Sequence, residues 1–371
     1  MKILITGANG FIGKNLIAEL KNNNYTDILK FDIDTEFSLL DEYCKVADFV
    51  FHLAGVNRPK EDSQYMKENY EFTSTVIERL NHYNNKCPII FSSSIQATCA
   101  NLYGESKKSA EKLFIDYTKK TGAKILIYRL TNVFGKWCKP NYNSVVATFC
   151  HNIARGLPIQ INDPNAIMKL IYIDDVVKQM IDAMEKRESW IGVFDEIAPV
   201  YEASLREVVD LIYLFKKERE SCQVPNMSNE FIKKLYSTYL SYLPENEFNY
   251  ELKMQADERG SFTEFIKMES GGQVSVNISK PGMVKGNHWH QTKSEKFLVV
   301  NGEGVIRFRR IDSDEVVEYF VNGRKLEVVD VPIGYTHNIE NLGSVDMVTL
   351  IWANEVFDPE RTDTYGLEVG S

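Results

Sequence analysis

A chain of 371 residues is longer than one hydrophobic core usually supports, so two domains are expected. With 52 acidic against 43 basic residues the net charge is -9, which argues against nucleic acid or an anionic membrane as the main partner. The composition, 44% hydrophobic and 26% charged, is that of a globular protein, and no apolar run approaches the ~18 residues of a membrane helix.

Met1-Lys2-Ile3-Leu4-Ile5-Thr6 reads as a first strand and not a signal peptide, because it runs directly into Gly7-Ala8-Asn9-Gly10-Phe11-Ile12-Gly13. The helical Lys14-Asn15-Leu16-Ile17-Ala18-Glu19-Leu20 follows. Strand, glycine loop and helix in that order make a turn whose free amides face a pyrophosphate. Gly7 serves the tight turn, Gly10 the approach to phosphate, and Gly13 the contact of helix with strand. The next strand, Ile28-Leu29-Lys30-Phe31, ends at Asp32, about 20 residues beyond the last glycine, where a carboxylate suits ribose hydroxyls and favours NAD over NADP. Asp34 and Lys30 stand close by.

Phe49-Val50-Phe51-His52 is a third buried strand. It ends in Leu53, Ala54 and Gly55, where a cofactor would cross the sheet edge, and the helical stretch from Ser63 to His82 adds Asn69 to the cofactor-binding set. Pro88-Ile89-Ile90-Phe91 is the fourth strand, running into Ser92, Ser93 and Ser94. A serine there lies where open α/β sheets bind ligands, and its hydroxyl can hold a substrate oxygen. Ser92, Ser93 and Ser94 are the candidates for that role.

Leu102-Tyr103-Gly104-Glu105-Ser106-Lys107 opens an apolar-periodic helix with Tyr103 and Lys107 on one face. A phenol titrates near ~10, and an ammonium beside it is expected to lower that value, making Tyr103 an acid-base group. Strand Ile125-Leu126-Ile127-Tyr128-Arg129 then leads to Thr131-Asn132-Val133-Phe134-Gly135. Ser204-Leu205-Arg206-Glu207 is a capping box before another helix. The six cysteines, at 44, 87, 99, 138, 150 and 222, form no C-x-x-C pair, as expected of free thiols in a reducing cytoplasm.

After Pro244 the pattern changes to short β-rich runs, among them Val274-Ile278, Lys296-Val300, Gly304-Phe308 and Met347-Trp352, which indicates a jelly roll. His288 and His290 alternate on one strand face, Glu295 follows a turn, and His337 comes from a second hairpin. Three imidazoles and a carboxylate suit a divalent transition metal such as zinc.

The glycine loop, His-Leu-Ala-Gly, Ser-Ser-Ser, Tyr-x-x-x-Lys, Arg-x-x-Asn-x-x-Gly and Tyr172-Ile173-Asp174-Asp175-Val176 resemble, in that order, the extended short-chain dehydrogenase/reductases. The resemblance covers about residues 1–220. It implies Tyr103 as acid-base, Lys107 as its tuner and ribose anchor, Ser94 as orienter, and Asn132 near the nucleotide of the substrate. The loop between Ser94 and Tyr103 is shorter than in that family.

The last third resembles the cupins through G-x5-H-x-H-x4-E-x6-G and P-x-G-x2-H-x3-N, although Leu326 stands where the second motif has an upstream glycine. Asp257–Glu264 and Lys285-Gly286-Asn287-His288 also resemble the deoxysugar 3,5-epimerase branch. There the histidine matching His288 is a metal-free catalytic base, so His288 has two readings. This second likeness implies Arg259, Glu264 and Lys285 as substrate contacts.

The fused pair resembles bifunctional capsular-polysaccharide enzymes acting on UDP-2-acetamido-2,6-dideoxy-hexos-4-uloses. It implies a Rossmann NAD(P)-binding domain over residues 1–245 and a metal-binding cupin over 246–371. The implied activity is carbon-3 epimerisation followed by reduction at carbon 4 to a UDP-N-acetyl-talosamine-type product, in a cytoplasmic homodimer. That family implies NADPH, where Asp32 favours NAD. Alternatives are an epimerase or dehydratase with permanently bound NAD and a cupin serving only as a dimer clamp, a sugar-nucleotide sensor, or a metal of structural role only.

Overall fold

The structure, a computed structural model, describes residues 1–190 and 193–370. They form two compact units, Met1–Tyr213 with Lys234–Pro244, and Leu214–Lys233 with Glu245–Ser371.

In the first unit, strand β1 (Ile3–Thr6) leads through the glycine loop to helix α1 (Phe11–Asn22). Next come β2 (Ile28–Phe31), α2 (Ser38–Val46) and β3 (Phe49–His52), then a helical run broken into α3 (Ser63–Tyr65), a π turn (Met66–Glu71) and α4 (Phe72–His82). Strand β4 (Ile89–Ser94) and a 3₁₀ turn (Ile95–Thr98) precede α5 (Leu102–Thr121) and β5 (Ile125–Leu130). Then follow β6 (Asn132–Phe134), α6 (Val145–Ala154), β7 (Ile167–Tyr172), α7 (Ile173–Glu185), β8 (Phe194–Asp195) and β9 (Tyr201–Ser204). The main sheet is parallel, ordered β2-β1-β3-β4-β5-β8. It is buried on both faces, which is why its strands are continuous apolar runs. Ile3, Ile5, Phe49 and Phe51 pack toward α1 and α7, whereas Leu4, Val50, Ile89 and Phe91 pack toward α2, α4 and α5. Chain progression reverses between β1 and β3, so the carboxyl ends of these two strands flank the crevice where doubly wound sheets bind ligands.

Helix α8 (Leu205–Glu220) starts as the capping box predicts, Glu207 N–H donating to Ser204 Oγ at 3.1 Å. Strand β10 (Gln223–Val224) pairs with the second unit's β12 (Gly260–Met268), and α9 is Glu230–Leu240. The rest of the second unit is the expected all-β cupin jelly roll. Its larger sheet combines β10, β11 (Met254–Asp257) and β12 with β13 (Gly272–Ser279), β15 (Glu295–Asn301), β18 (Val328–Val331) and β20 (Met347–Ala353). The smaller has β14 (Val284–Trp289), β16 (Glu303–Arg310), β17 (Val316–Asn322), β19 (Tyr335–Asn341) and β21 (Tyr365–Gly366). Phe297, Val299, Val329, Val331 and Met347 from one sheet meet Ile306, Phe308, Val321 and Ile339 from the other in a common core. Among the described residues no helix is long and apolar enough to cross a membrane, and all six cysteines are free.

One buried polar thread crosses the first unit at the strand ends. Ala54 N–H donates to Thr6 Oγ at 3.3 Å, Thr6 Oγ lies 2.9 Å from His52 Nδ1, and His52 Nε2 lies 2.9 Å from Thr73 Oγ. The Thr73 hydroxyl is committed to the Asn69 carbonyl at 2.6 Å, so it accepts from Nε2–H, and His52 is held as the neutral Nε2–H tautomer. Burial first, and the charge of Lys107 second, push the His52 pKa from 6.5 down to about 3. Below pH 6.5 the unfolded chain therefore binds a proton that the native chain refuses, and His52 makes stability fall as pH drops toward about 3. His52→Gln is predicted to flatten the acid limb of stability by about 1.4 kcal/mol per pH unit between pH ~6 and ~4, measured by urea unfolding. An unchanged slope would contradict the thread.

Candidate functional site

At the carboxyl end of β1 the chain turns so tightly that no side chain fits. Gly7 has φ +71°, and a Cβ on it would lie 2.8 Å from Ala54 N, whereas one on Gly13 would lie 2.2 Å from the Gly7 carbonyl oxygen. Gly10 caps α1 with no side-chain hydrogen bond, which leaves the first-turn amides beside Phe11 and Ile12 unclaimed by a capping side chain. Asn9 ties this loop to the next strand end: its N–H donates to Asp32 at 2.7 Å and its amide to Asp34 at 3.1 Å. Both carboxylates thus stand beside the glycine loop.

Leu53, Ala54 and Gly55 form the opposite lip. A Cβ on Gly55 would sit 2.7 Å from Asn69 Oδ1 and 3.0 Å from Lys107 Nζ, so these three residues converge. Asn69 lies in the π turn, an irregularity that often marks functional sites. Its side chain is buried and fixed by Val56 N–H (2.8 Å), the Val56 carbonyl (3.0 Å) and Ser106 Oγ (2.9 Å). The sequence marked Asn69 but gave no hint of the π geometry.

Helix α5 begins where Asn101 Oδ1 accepts from Gly104 N–H at 2.8 Å. Its first turn presses on the 3₁₀ turn, for a Cβ on Gly104 would be 2.1 Å from the Gln96 carbonyl oxygen. That short turn fills the abbreviated loop and delivers Tyr103 to Ser94. The other two serines are occupied elsewhere: Ser92 Oγ donates to the His52 carbonyl and Ser93 Oγ to Glu111 at 2.6 Å. Ser94 is the one that reaches the phenol.

Lys107 is buried, donates to the Ser92 carbonyl at 3.1 Å and lies over the Phe91 ring. Burial pulls its pKa down to about 8 against the opposing charge of Glu111. Burial also raises the Tyr103 phenol, with the Ser94 hydroxyl pulling the other way and Tyr65 adding to the rise. This corrects the expectation that Lys107 lowers the phenol in the ligand-free chain, because removal from water outweighs an ammonium turned toward a carbonyl. Glu111, missed in the sequence, extends the stripe by one more i+4 step. It is buried and receives a two-pronged contact from Arg129, at 2.9 and 2.7 Å. Asn132 is exposed and donates to the Lys169 carbonyl at 3.1 Å.

In the second unit a bulge at Gly286 and Asn287 shifts the register of β14 against β19, so that His288 stands opposite His337. His290 follows the end of β14 and Glu295 opens β15. One ligand atom from each of His288, His290, Glu295 and His337 lies within 4.8 Å of the others. Glu295 Oε2 is 3.6 Å from His290 Nε2 and 3.5 Å from His337 Nε2. His290 Nε2 and both His337 nitrogens are buried without a hydrogen-bond partner. Each such atom costs about 1–3 kcal/mol unless something satisfies it. A nitrogen-rich, carboxylate-completed set of this size fits zinc or a similar divalent metal.

Burial, then the neighbouring His337 and His290, lower His288 to about 4, leaving a neutral ring with a free lone pair at pH 7. Burial alone would raise Glu295, but the His290 and His337 rings beside its carboxylate and the Lys293 ammonium at 2.8 Å hold it well below the usual carboxylate range. The cluster thus gathers buried nitrogens without partners around one carboxylate, as a cation site requires.

The three implied substrate contacts are engaged within the fold. Lys285 Nζ donates to the Ser261 carbonyl (3.3 Å), Asn277 Oδ1 (3.0 Å) and the Ile278 carbonyl (2.7 Å), which uses all three protons. Arg259 is exposed and paired to Asp257 at 2.7 Å, and Glu264 to Lys267 at 2.7 Å.

Residues 3–192 match the NAD dependent epimerase/dehydratase family and residues 255–365 the polysaccharide biosynthesis C-terminal domain. Over 370 residues, 100% of this chain and 99% of the relative, the sequence is 43% identical to UDP-2-acetamido-2,6-beta-L-arabino-hexul-4-ose reductase of Pseudomonas aeruginosa. The fold superposes on the crystal structure of the capsular polysaccharide assembling protein CapF from Staphylococcus aureus with a TM-score of 0.94. Identity there is 53%, covering 99% of this chain and 100% of that one. UDP-glucuronate 4-epimerase 2 of Arabidopsis thaliana is 26% identical over 52% of this chain and 56% of its own length.

The buried stripe beneath Tyr103 makes a direct prediction. Removing the charge that opposes desolvation of Lys107, in Glu111→Gln, should bring its titration below the wild-type value of about 8. A ¹⁵N NMR titration of the Lys107 ammonium checks this, and an unmoved midpoint would contradict it.

Proposed function

We propose, because this chain belongs to the NAD-dependent epimerase/dehydratase family and, end to end, to the capsular-polysaccharide enzymes that fuse such a domain to a cupin, that it acts twice on one ketosugar. The substrate is a UDP-linked 2-acetamido-2,6-dideoxy-4-ketohexose, epimerised at carbon 3 in the cupin and then reduced at carbon 4 in the first unit. The product is of the UDP-N-acetyl-talosamine type, made in the cytoplasm by a homodimer for capsule or surface polysaccharide.

The observation that supports this reading is twofold at the carboxyl end of the central strands: the Ser94 hydroxyl acts on the Tyr103 phenol, and Asn69 and Lys107 converge on Gly55. Gly7, Asn9, Gly10, Phe11, Ile12, Gly13, Asp32, Leu53, Ala54, Gly55, Asn69, Tyr103 and Lys107 would hold the NAD or NADP. When bound, the reduced dinucleotide supplies the hydride that converts the carbon-4 ketone to an alcohol. Tyr103 gives its proton to the ketone oxygen, and its raised pKa keeps that proton in place at neutral pH until the oxygen becomes basic. Ser94 holds the same oxygen, and Lys107 stabilises the phenolate left behind.

In the second unit the ketone acidifies the carbon-3 C–H, so inversion requires proton removal on one face and return on the other. His288, His290, Glu295 and His337 would hold the divalent metal, which supplies Lewis-acid polarisation of a bound oxygen. The close packing of His288 against both other rings, at 5.0 and 4.6 Å between centroids, supports its reading as a ligand. Asn132, Arg259, Glu264 and Lys285 are the substrate-contact candidates, all with exposed or half-buried side chains.

The test incubates enzyme and 4-ketosugar in deuterated water, with and without NADPH or NADH. Deuterium should enter carbon 3 without cofactor, and one cofactor should then be oxidised stoichiometrically. Tyr103→Phe should lower reduction by about 10²–10⁴-fold and spare exchange. Stripping the metal should abolish exchange in a protein that stays folded. No oxidation of either cofactor removes the reductase reading, and exchange that survives in folded metal-free protein leaves the metal a structural role only.

A further inference from the structure

We infer that Asp363, on the C-terminal strap of the second unit, is a positioning residue for the metal centre; this rests on reading the four-residue cluster as a metal site. Asp363 lies 73 residues from His290 in sequence, yet its backbone carbonyl oxygen meets His290 Nδ1. A carbonyl can only accept, so Nδ1 carries the proton and Nε2 presents its lone pair. Nε2 is the atom that faces Glu295 and has no hydrogen-bond partner. The strap thus selects the tautomer that ligation needs.

The carboxylate of the same residue organises the segment between two ligands. Asp363 Oδ2 accepts from Thr292 N–H at 2.7 Å, Thr292 Oγ–H at 3.0 Å and Lys293 N–H at 2.8 Å, and Oδ1 accepts from Gln291 N–H at 3.0 Å. Gln291, Thr292 and Lys293 are three of the four residues that connect His290 to Glu295, and Lys293 in turn pairs with Glu295 at 2.8 Å. One side chain therefore fixes the path between two ligands while its own carbonyl fixes the ring of the first.

The strap itself is anchored. Residues Tyr365 and Gly366 pair with Trp289 and His288 of β14, and Tyr365 packs its ring on Trp289 at 5.0 Å. Beyond them Val369 is fully buried, and Arg309 donates to the Glu368 and Val369 carbonyls at 2.7 and 2.8 Å. Asp363 is held against the site by the strap, and the ligand-bearing strand is held by Asp363 and the strap together.

Outer-shell partners of metal-bound histidines typically change affinity by about 10–100-fold when lost. The test uses the full chain with Asp363→Ala and Asp363→Asn, and reads Zn²⁺ affinity by competition with a chromogenic chelator and the visible spectrum of the Co²⁺-loaded protein. Asp363→Ala should lose about 10–100-fold in affinity and alter the Co²⁺ spectrum, and Asp363→Asn, which keeps one acceptor oxygen, should fall between it and wild type. A control is Asn322→Ala, because Asn322 Oδ1 caps another loop through Arg324 and Lys325 N–H at 3.0 Å. It should lower the melting temperature without moving metal affinity. Folded Asp363→Ala with wild-type Zn²⁺ affinity and Co²⁺ spectrum overturns the inference alone, and failure of the wild type to bind either metal overturns the metal reading along with it.

Discussion

An ammonium with no access to water must be stabilised by fixed dipoles and charges, and the architecture around Lys107 is the answer to that demand. Its proton is offered to a strand-end carbonyl, its ammonium lies over the Phe91 ring, and Glu111 stands one turn further along α5. Glu111 is itself tolerable in the interior only because Arg129 and Ser93 bind both its oxygens. The end of β4, the start of α5 and the strand β5 that carries Arg129 are thereby locked in one arrangement. Tyr103 and Ser94 occupy its open side. A group that can lend or take charge at a carbonyl is thus set on rigid elements, where electrostatic stabilisation works best.

The second unit solves the converse problem. Its cost lies in buried imidazole nitrogens with no hydrogen-bond partner. The jelly roll brings the three rings and Glu295 together from β14 and the residue just past it, the start of β15, and β19, and the C-terminal strap pairs with the first of these strands. A bulge at Asn287 corrects the aim of His288, and Asn338 Nδ2 donates to the side-chain oxygen of Asn287 at 2.9 Å, pinning the bulge from the neighbouring strand.

The parts of these sites that are local in sequence were legible before any coordinates. A glycine loop, a Tyr and Lys one helical turn apart, and two His on alternate positions declare themselves through fixed geometry over a few residues. So did the doubly wound order and the change to β texture after Pro244. The remainder depends on long-range pairing and burial. No local pattern links Glu111 to Arg129 or Asp363 to His290. The sign of the Tyr103 shift follows from how much water is removed, which spacing does not reveal. Lys285 has the residue type and motif of a substrate contact, and no local pattern shows that the start of β12 and the end of β13 offer its ammonium three acceptors. The π turn at Asn69 leaves the periodicity from Ser63 to His82 nearly unchanged, so the sequence reads as one helix.

The central proposal is that the first unit delivers a hydride to carbon 4 of the ketosugar and does not merely store one. Turnover of the ketosugar in ordinary water with reduced nicotinamide deuterated at its transferable position measures this directly. The account predicts product carrying one deuterium, at carbon 4, for each cofactor oxidised. Product without label at carbon 4, or turnover with the cofactor returned in its starting redox state, would contradict it.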